Sequence, residues 1–300
     1  MPGKNQYPLQ PFIDFLRYQK RFSEHTVTAY ENDLIDFFDH ITLQFGNTAL
    51  KSITQVYVRD WLASLKDDGL ASRSVKRKIS SLRSFFKFQL KTGVIDSTPM
   101  TNIISPKTGK RLPVFIKESD TKEILQTLAS STEDWKSLNA QMLLTLFYST
   151  GMRLSELINL KEKQFDKSRL QIKVLGKGNK ERMIPVGKDL QVIIVDYLQK
   201  KKAEFSSSDD FLLVTEKGRK MYPKYVYLLV NKCLGIAGTL DKKSPHVLRH
   251  TFATHLMNRG ADLNALKELL GHSSLASTQV YTHNTIEKLK DVHKKAHPKA

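Results

Sequence analysis

Residues Thr98–Pro113 read TPMTNIISPKTGKRLP, and they divide the chain in two. Prolines at 99, 106 and 113 lack the amide hydrogen that a helix or a ladder needs, and Gly109 adds a loose joint among Lys107, Lys110 and Arg111. No regular element fits, so the stretch reads as an interdomain linker. Upstream, Pro11–Leu16, His25–Asp39, Gln55–Asp67 and Ser72–Lys91 carry apolar residues at three-to-four spacing and read as helices. Ser23, Thr54 and Ser72 are placed as N-caps, Gly69 and Gly93 as stops. Downstream the pattern is mixed. Ser119–Ser130, Trp135–Ser149 and Leu154–Leu160 read as helices, while Leu170–Val174 and Glu181–Pro185, joined by GKGNK, read as a β-hairpin. Asp210–Val214 reads as a short strand, and helices return at Tyr222–Ala237, His246–Asn258, Leu263–Leu270, Ser274–Tyr281 and Thr285–Lys295. No repeat or low-complexity segment appears. The expected fold class is mainly α with a small β-sheet: an all-helical N-terminal domain over residues 1–104, a linker over 105–113 and a mixed domain over 114–300.

Composition narrows the function. Hydrophobic residues make up 40% and charged ones 26% of the chain, enough apolar material to argue against wholesale disorder. Apolar runs such as Met142–Tyr148 and Val192–Val195 fall far short of the roughly 20 residues that span a bilayer, so no membrane insertion is expected. The opening MPGKNQYPLQ has no apolar core for a signal peptide. A single cysteine, Cys233, leaves no internal disulfide and no multi-cysteine metal site. These features suit the cytoplasm. Forty-eight Lys and Arg against 30 Asp and Glu leave a net charge of +18, which favours a polyanionic partner: nucleic acid, or an acidic membrane surface.

The distribution of charge favours nucleic acid. Around the helix Ser72–Lys91, residues Arg73, Lys76, Arg77, Arg83, Lys87 and Lys91 fall within an arc of about 120°. Val75, Ile79, Leu82, Phe86 and Leu90 occupy an adjoining arc of about 80°. No acidic residue offsets the stripe, which therefore suffers self-repulsion without i,i+4 pairing. A phosphate track accounts for it, and the six basic residues are candidate DNA contacts. Lys167–Arg182 repeats the theme with six basic residues against one acid. Phe85, Phe86 and Phe88 are open to two uses, base stacking or core packing, with packing preferred for Phe86.

Reactive residues gather in the second half. Arg153 follows Gly151 at the start of a helix, where an i,i+3 ion pair to Glu156 is its simplest use. Lys177 lies at the tip of the expected hairpin, in a Gly-Lys-Gly turn. His246 and Arg249 share a helix face at i,i+3 after Pro245. His246, His250 and His255 do not describe a zinc site, since no acid accompanies them and His255 is off the His246/His250 face; His250 and His255 read as structural. His272 sits between a helix stop and a new N-cap, and Tyr281 follows nine residues later. Taken singly, each has an ordinary structural reading. Together, two arginines, a lysine, two histidines and a tyrosine suit attack on a phosphodiester without metal. Arginine clamps non-bridging oxygens bidentately, tyrosine supplies the nucleophile, and His and Lys move protons near neutral pH. A phenol of pKa about 10 needs such a cationic surround to react as the phenolate.

Arg153, Lys177, the His246-x-x-Arg249 pair, His272 and Tyr281 resemble, in order and spacing, the signature of the tyrosine recombinases, the phage integrase family. The phrases STGMRLSEL, GKGNKERMIPV, HVLRHTFATHL and LLGHSSLASTQVYTH agree with it. Ser23-x-x-Thr26-x-x-x-Tyr30-x-x-Asp33-Leu34-x-x-Phe37 resembles the opening helix of that family's SAM-like core-binding domain, and the tail from Tyr281 resembles the Xer branch. The resemblance implies that Tyr281 attacks the scissile phosphate to give a 3′-phosphotyrosyl link and a free 5′-hydroxyl. It makes Arg153 and Arg249 the phosphate clamp and Lys177 the general acid. His246 would assist proton transfer, and His272 would hydrogen-bond the phosphate. Neither a cofactor nor a metal is implied. The implied partners are a double-stranded recombination site gripped by a two-domain clamp, and a homo- or hetero-tetramer that synapses two sites and passes through a Holliday junction. A second recombinase and a translocase of the FtsK type come with the Xer role of resolving chromosome dimers at cell division. The helix about Thr285–Lys295 would dock into a neighbouring protomer.

Three rivals stand beside this reading. A non-catalytic sequence-specific DNA-binding protein explains the charge but gives no reason for six reactive residues. A type IB topoisomerase shares the chemistry without synapsis. Within the family, an integrase of a mobile element competes with the Xer role, which is preferred because there is little chain ahead of Tyr7 for an arm-binding domain.

Overall fold

The computed structural model describes residues 7–107, 114–130, 134–176, 181–235 and 243–271. The chain divides into two compact units, Met1–Arg111 and Leu112–Ala300.

The first unit is helical: α1 (Leu9–Asp14), which widens into a π-turn at Phe15–Gln19, then α2 (Glu24–Phe45), α3 (Gln55–Asp67) and α4 (Ser72–Lys91). Ser23 caps α2 by accepting from the Thr26 amide, and Thr54 caps α3 by accepting from Val56. Ser72 does not cap: α4 begins on it, with Ala71 at the cap position and no side-chain bond. Helix α2 runs past the expected Asp39 because Ile41 still faces the core, and it stops only where Gly46 turns left-handed.

Aromatic rings fill this core. Phe37 meets Trp61 edge-on at 5.2 Å, and Phe85 meets Phe12 at 5.4 Å and Phe38 at 5.5 Å. Phe88 lies 4.9 Å from Phe15 and 5.6 Å from Phe12. The Phe85, Phe86 and Phe88 rings are thus spent on packing. Leu90, expected on the apolar arc, is exposed, while Phe85 and Gln89 are buried, so the buried face is rotated from the one read from the sequence. Met100 and Ile103 are also buried here, which makes the first part of Thr98–Pro113 the end of this unit rather than linker.

The second unit is built on α6 (Trp135–Thr150), buried nearly all round from Leu138 to Thr150. Packed on it are α5 (Glu118–Ala129), α8 (Lys188–Glu204), α9 (Pro223–Gly235) and α10 (Pro245–Asn258). Between α6 and α8 come α7 (Leu154–Ile158) and an antiparallel sheet in the order β1 (Phe165–Asp166), β2 (Gln171–Leu175), β3 (Glu181–Pro185). The hairpin pairs Gln171 with Pro185 and Leu175 with Glu181. Helix α11 (Leu263–Leu270) packs against α10 and β3.

Two expectations change. Lys188–Glu204, which carried no assignment, is a helix whose buried stripe runs Leu190, Ile194, Tyr197, Lys201. The period was masked because its last member is a lysine, buried because its ammonium donates to Glu162 and to the Asp209 and Phe211 carbonyls. Asp210–Val214 is not a strand. It makes isolated bridges Lys161–Phe211 and Val214–Lys220, and two of its carbonyls are taken by side chains: Phe211 accepts from Lys201, and Val214 from Trp135 and Asn139. The expected helices Ser274–Tyr281 and Thr285–Lys295 lie outside the described residues. Among the described residues, no helix is long and apolar enough to cross a membrane.

Candidate active site

The turn after α6 sets the first arginine. Gly151 ends the helix in the left-handed conformation, and a Cβ there would collide with the ring of Phe252 on α10, so only glycine allows the chain to pass. Two residues later Arg153 opens α7. Its backbone amide donates to Glu156 Oε2 at 2.7 Å, and its Nη1 donates to Glu156 Oε1 at 2.8 Å. The i,i+3 ion pair is therefore real. It is only part of what the side chain does, since Nη2 also reaches Gly271 O at 2.8 Å.

Arg249 lies on the second turn of α10, after Pro245 has started the helix. It is buried, and it donates to Gly151 O and, at 2.6 Å, to Leu270 O. A third arginine completes the set. Arg182 on β3 donates from Nε to Leu269 O at 2.9 Å, and from its two Nη atoms to the two oxygens of Glu156, each at 2.8 Å.

Three consecutive carbonyls at the end of α11, those of 269, 270 and 271, thus each accept from a different arginine: Arg182, Arg249 and Arg153. The last carbonyls of a helix have no partner within it and carry the negative end of its dipole, so cations are stabilising there. One carboxylate lies beneath. Glu156 accepts four bonds from Arg153 and Arg182. Burial alone would raise its pKa, but the hydrogen bonds from Arg182 and the Arg153 amide, with the Arg182 charge, hold it at about 2. Burial, together with the positive charges of Arg153 and Arg182, brings Arg249 down to about 10, still protonated at neutral pH. Three guanidinium ions against one carboxylate leave a local excess of positive charge, suited to an anion.

Of the six residues read as catalytic, Arg153 and Arg249 meet at the end of α11. His246 is exposed on the first turn of α10 and makes no hydrogen bond among the described residues. Lys177, His272 and Tyr281 lie outside the described residues. The other two histidines serve the fold. His255 is buried and accepts from Tyr148 while donating to Ile116 O, and His250 lies 3.5 Å from the Thr254 hydroxyl. Among the described residues, no group of three or more His, Cys, Asp or Glu is placed to hold a metal ion.

Arg182 had passed as one member of a basic run. A signal was there: it alternates with Ile184 on one face of β3, and an arginine on the core face of a strand needs a buried anion.

The basic stripe on α4 divides. Arg77 donates to the buried Asp33 and to Ala29 O, and Arg83 to Ile103 O and Ser105, so both brace their own unit. The side chains of Arg73, Lys76, Lys87 and Lys91 are exposed and make no ion pair among the described residues.

Known proteins match this arrangement across nearly the whole chain. The model of the phage integrase family matches residues 115–288, and that of the phage integrase N-terminal SAM-like domain matches residues 9–93. The chain belongs to the phage integrase family and is a tyrosine recombinase. The tyrosine recombinase XerC of Listeria monocytogenes serotype 4a (strain HCC23) is 40% identical over 294 residues, covering 97% of each chain. That of Chlorobaculum parvum is 34% identical over 317 residues, covering 97% of this chain and 94% of its own. Two solved structures share the fold. The XerH site-specific recombinase bound to palindromic difH substrate, a post-cleavage complex, superposes with a TM-score of 0.71 at 24% identity, over 94% of this chain and 82% of that one. The Tn1549 transposon integrase in complex with transposon right end DNA gives 0.72 at 18% identity, over 93% and 96%.

Proposed function

We propose that this site-specific DNA recombinase cuts and rejoins a double-stranded site through a covalent 3′-phosphotyrosyl link to Tyr281. The observation that carries the reading is the placing of Arg153 and Arg249, distant in sequence, on the adjacent carbonyls of Gly271 and Leu270. Two guanidiniums side by side over a helix end can grip the two non-bridging oxygens of one phosphate and offset the charge that builds up in a pentacoordinate transition state. Among the described residues, Arg153 retains three of its five side-chain N–H groups for this after its two bonds are made.

In the proposed sequence the Tyr281 oxygen bonds to phosphorus as the P–O5′ bond breaks, and Lys177 supplies the proton that the departing 5′-oxygen needs. His246 takes the phenolic proton, and His272 donates to the phosphate. Religation reverses the step: the 5′-hydroxyl of the partner strand attacks phosphorus and Tyr281 leaves. One phosphodiester is exchanged for one phosphotyrosyl ester at each step, so no external energy source is required. Residues 1–104 and residues 114–300 would each contact the site, with 105–113 joining them in sequence. Arg73, Lys76, Arg77, Arg83, Lys87 and Lys91 remain the proposed phosphate track, led by the four whose side chains make no ion pair among the described residues.

We infer further a cytoplasmic Xer-type role, the resolution of chromosome dimers at cell division by a tetramer on two synapsed sites. A second recombinase and an FtsK-type translocase are proposed partners. Support comes from relatives named XerC that match nearly end to end. Product analysis tests the reading. Incubation with a plasmid bearing two candidate sites should yield Holliday junctions and recombinant circles. Relaxation alone would favour a topoisomerase. Loss of the gene should leave unsegregated chromosome dimers, and normal segregation would favour a mobile-element integrase.

A further inference from the structure

We infer that Arg182 is a positioning residue for strand cleavage: through Glu156 it fixes the guanidinium of Arg153, and through the end of α11 it fixes the carbonyls on which Arg153 and Arg249 rest. The inference rests on the proposed role of those two arginines.

The geometry is specific to a planar, five-donor group. Nε points to Leu269 O while Nη1 and Nη2 take the two oxygens of Glu156 in parallel, all within 2.8–2.9 Å. Glu156 then has one oxygen left to share with Arg153 Nη1 and the other with the Arg153 amide. The position of Arg153 is therefore defined from below by Arg182 and from the side by Gly271. Gly271 itself lies against Arg182: a Cβ built on it would sit 3.3 Å from Arg182 Cδ and Nη1. Gly271 is also the residue that precedes His272.

Stability alone does not explain such a cluster. Burying ions carries a desolvation cost that an apolar replacement of similar shape usually avoids. Three arginines round one carboxylate repel one another, and a leucine or methionine on β3 would pack against Ile184 without that penalty. What the apolar side chain could not do is hold one carboxylate and one helix end in a fixed relation. Nε and both Nη atoms of Arg182 are already bonded to Leu269 O and Glu156, so it works through its neighbours.

The test compares Arg182→Lys with wild type in single-turnover cleavage of a nicked suicide duplex at saturating protein, where the rate constant belongs to the folded molecules alone. Lysine keeps the charge and loses the fork. We expect cleavage slower by about 100-fold, the order of loss for a misplaced reacting group, with site affinity within about threefold. The second arm repeats the comparison on a duplex whose scissile phosphate is a methylphosphonate. That linkage lacks the negative charge the arginines grip, so the penalty should shrink to less than about tenfold. Glu156→Gln, which keeps the buried shape, should show the same pattern and carries the comparison if Arg182→Lys folds poorly. A variant that cleaves at the wild-type rate overturns the inference, as does an equal penalty on both linkages, which marks a general structural defect. Failure of wild type to form any adduct would remove the recombinase chemistry itself, and the inference with it.

Discussion

Arg153 Nη2 donates to the carbonyl of Gly271 at 2.8 Å, joining the turn after α6 to the residue that ends α11. This contact makes Gly271 more than a helix stop. It has φ +64°, a conformation that costs a residue with a Cβ roughly 1–2 kcal/mol, and the space above it is filled by Arg182. Gly271→Ala should lower unfolding stability by about 1–3 kcal/mol in urea titration and slow cleavage more than it weakens site binding. Equal stability would mean the end of α11 can relax away from the arginines.

Glu156 predicts an acid dependence. Its pKa is held at about 2 against an ordinary value of 4.5, so the folded state binds its proton less readily than the unfolded chain. The stability it contributes is fully present above pH 4.5 and is lost as the pH falls toward 2. Glu156→Gln should be less stable than wild type by about 3–5 kcal/mol at pH 7, the usual cost of breaking a buried pair, and the gap should narrow below pH 4. Urea unfolding at pH 7, 5 and 3.5 measures it.

His255 predicts a dependence of the same sign at higher pH. The Ile116 carbonyl can only accept, so Nε2 carries the hydrogen and Nδ1 accepts from the Tyr148 hydroxyl: the ring is neutral. Burial lowers its pKa from 6.5, so stability is complete above that value and declines as the pH falls below it. Ile116 also donates its amide to Thr251, so this segment is stitched to the helix that bears Arg249. Thermal unfolding from pH 7.5 to 5 should fall more steeply for wild type than for His255→Gln. Parallel curves would mean that another group titrates.

The stripe on α4 should separate into two behaviours. Lys87→Ala and Lys91→Ala should leave stability unchanged, weaken DNA binding on every sequence, and each reduce the slope of log affinity against log salt by about 1. Arg77→Ala should instead lower stability, because it strips one partner from the buried Asp33, and Arg83→Ala should loosen Ile103. Uniform loss of binding across all four, with stability intact, would mean that Arg77 and Arg83 serve the phosphate track alone and do not brace their unit.

Much of this was legible in the sequence because local signals agreed with the fold: Ser23 and Thr54 cap, Gly69 and Gly93 follow the ends of α3 and α4 with positive φ, and Glu181–Pro185 alternates. What escaped it was set by distant partners. Lys201 is buried by two carbonyls and a glutamate from elsewhere, which hid α8, and Val214 gives its carbonyl to Trp135 and Asn139, which undid a strand. At the site, Arg153 and Arg249 were read from their motifs. Arg182 was not, because its importance lies in Glu156 and Leu269, and no spacing rule connects those three positions.

Covalent trapping tests the central claim most directly. A nicked duplex carrying a specifically bound site is incubated in EDTA with wild type and with Tyr281→Phe, and the products are separated under denaturing conditions. The account predicts a protein–DNA adduct at the 3′-phosphate with wild type, and none with Tyr281→Phe despite unimpaired binding. An adduct that persists without the phenolic oxygen, or a wild type that binds the site and never becomes linked to it, would contradict the account.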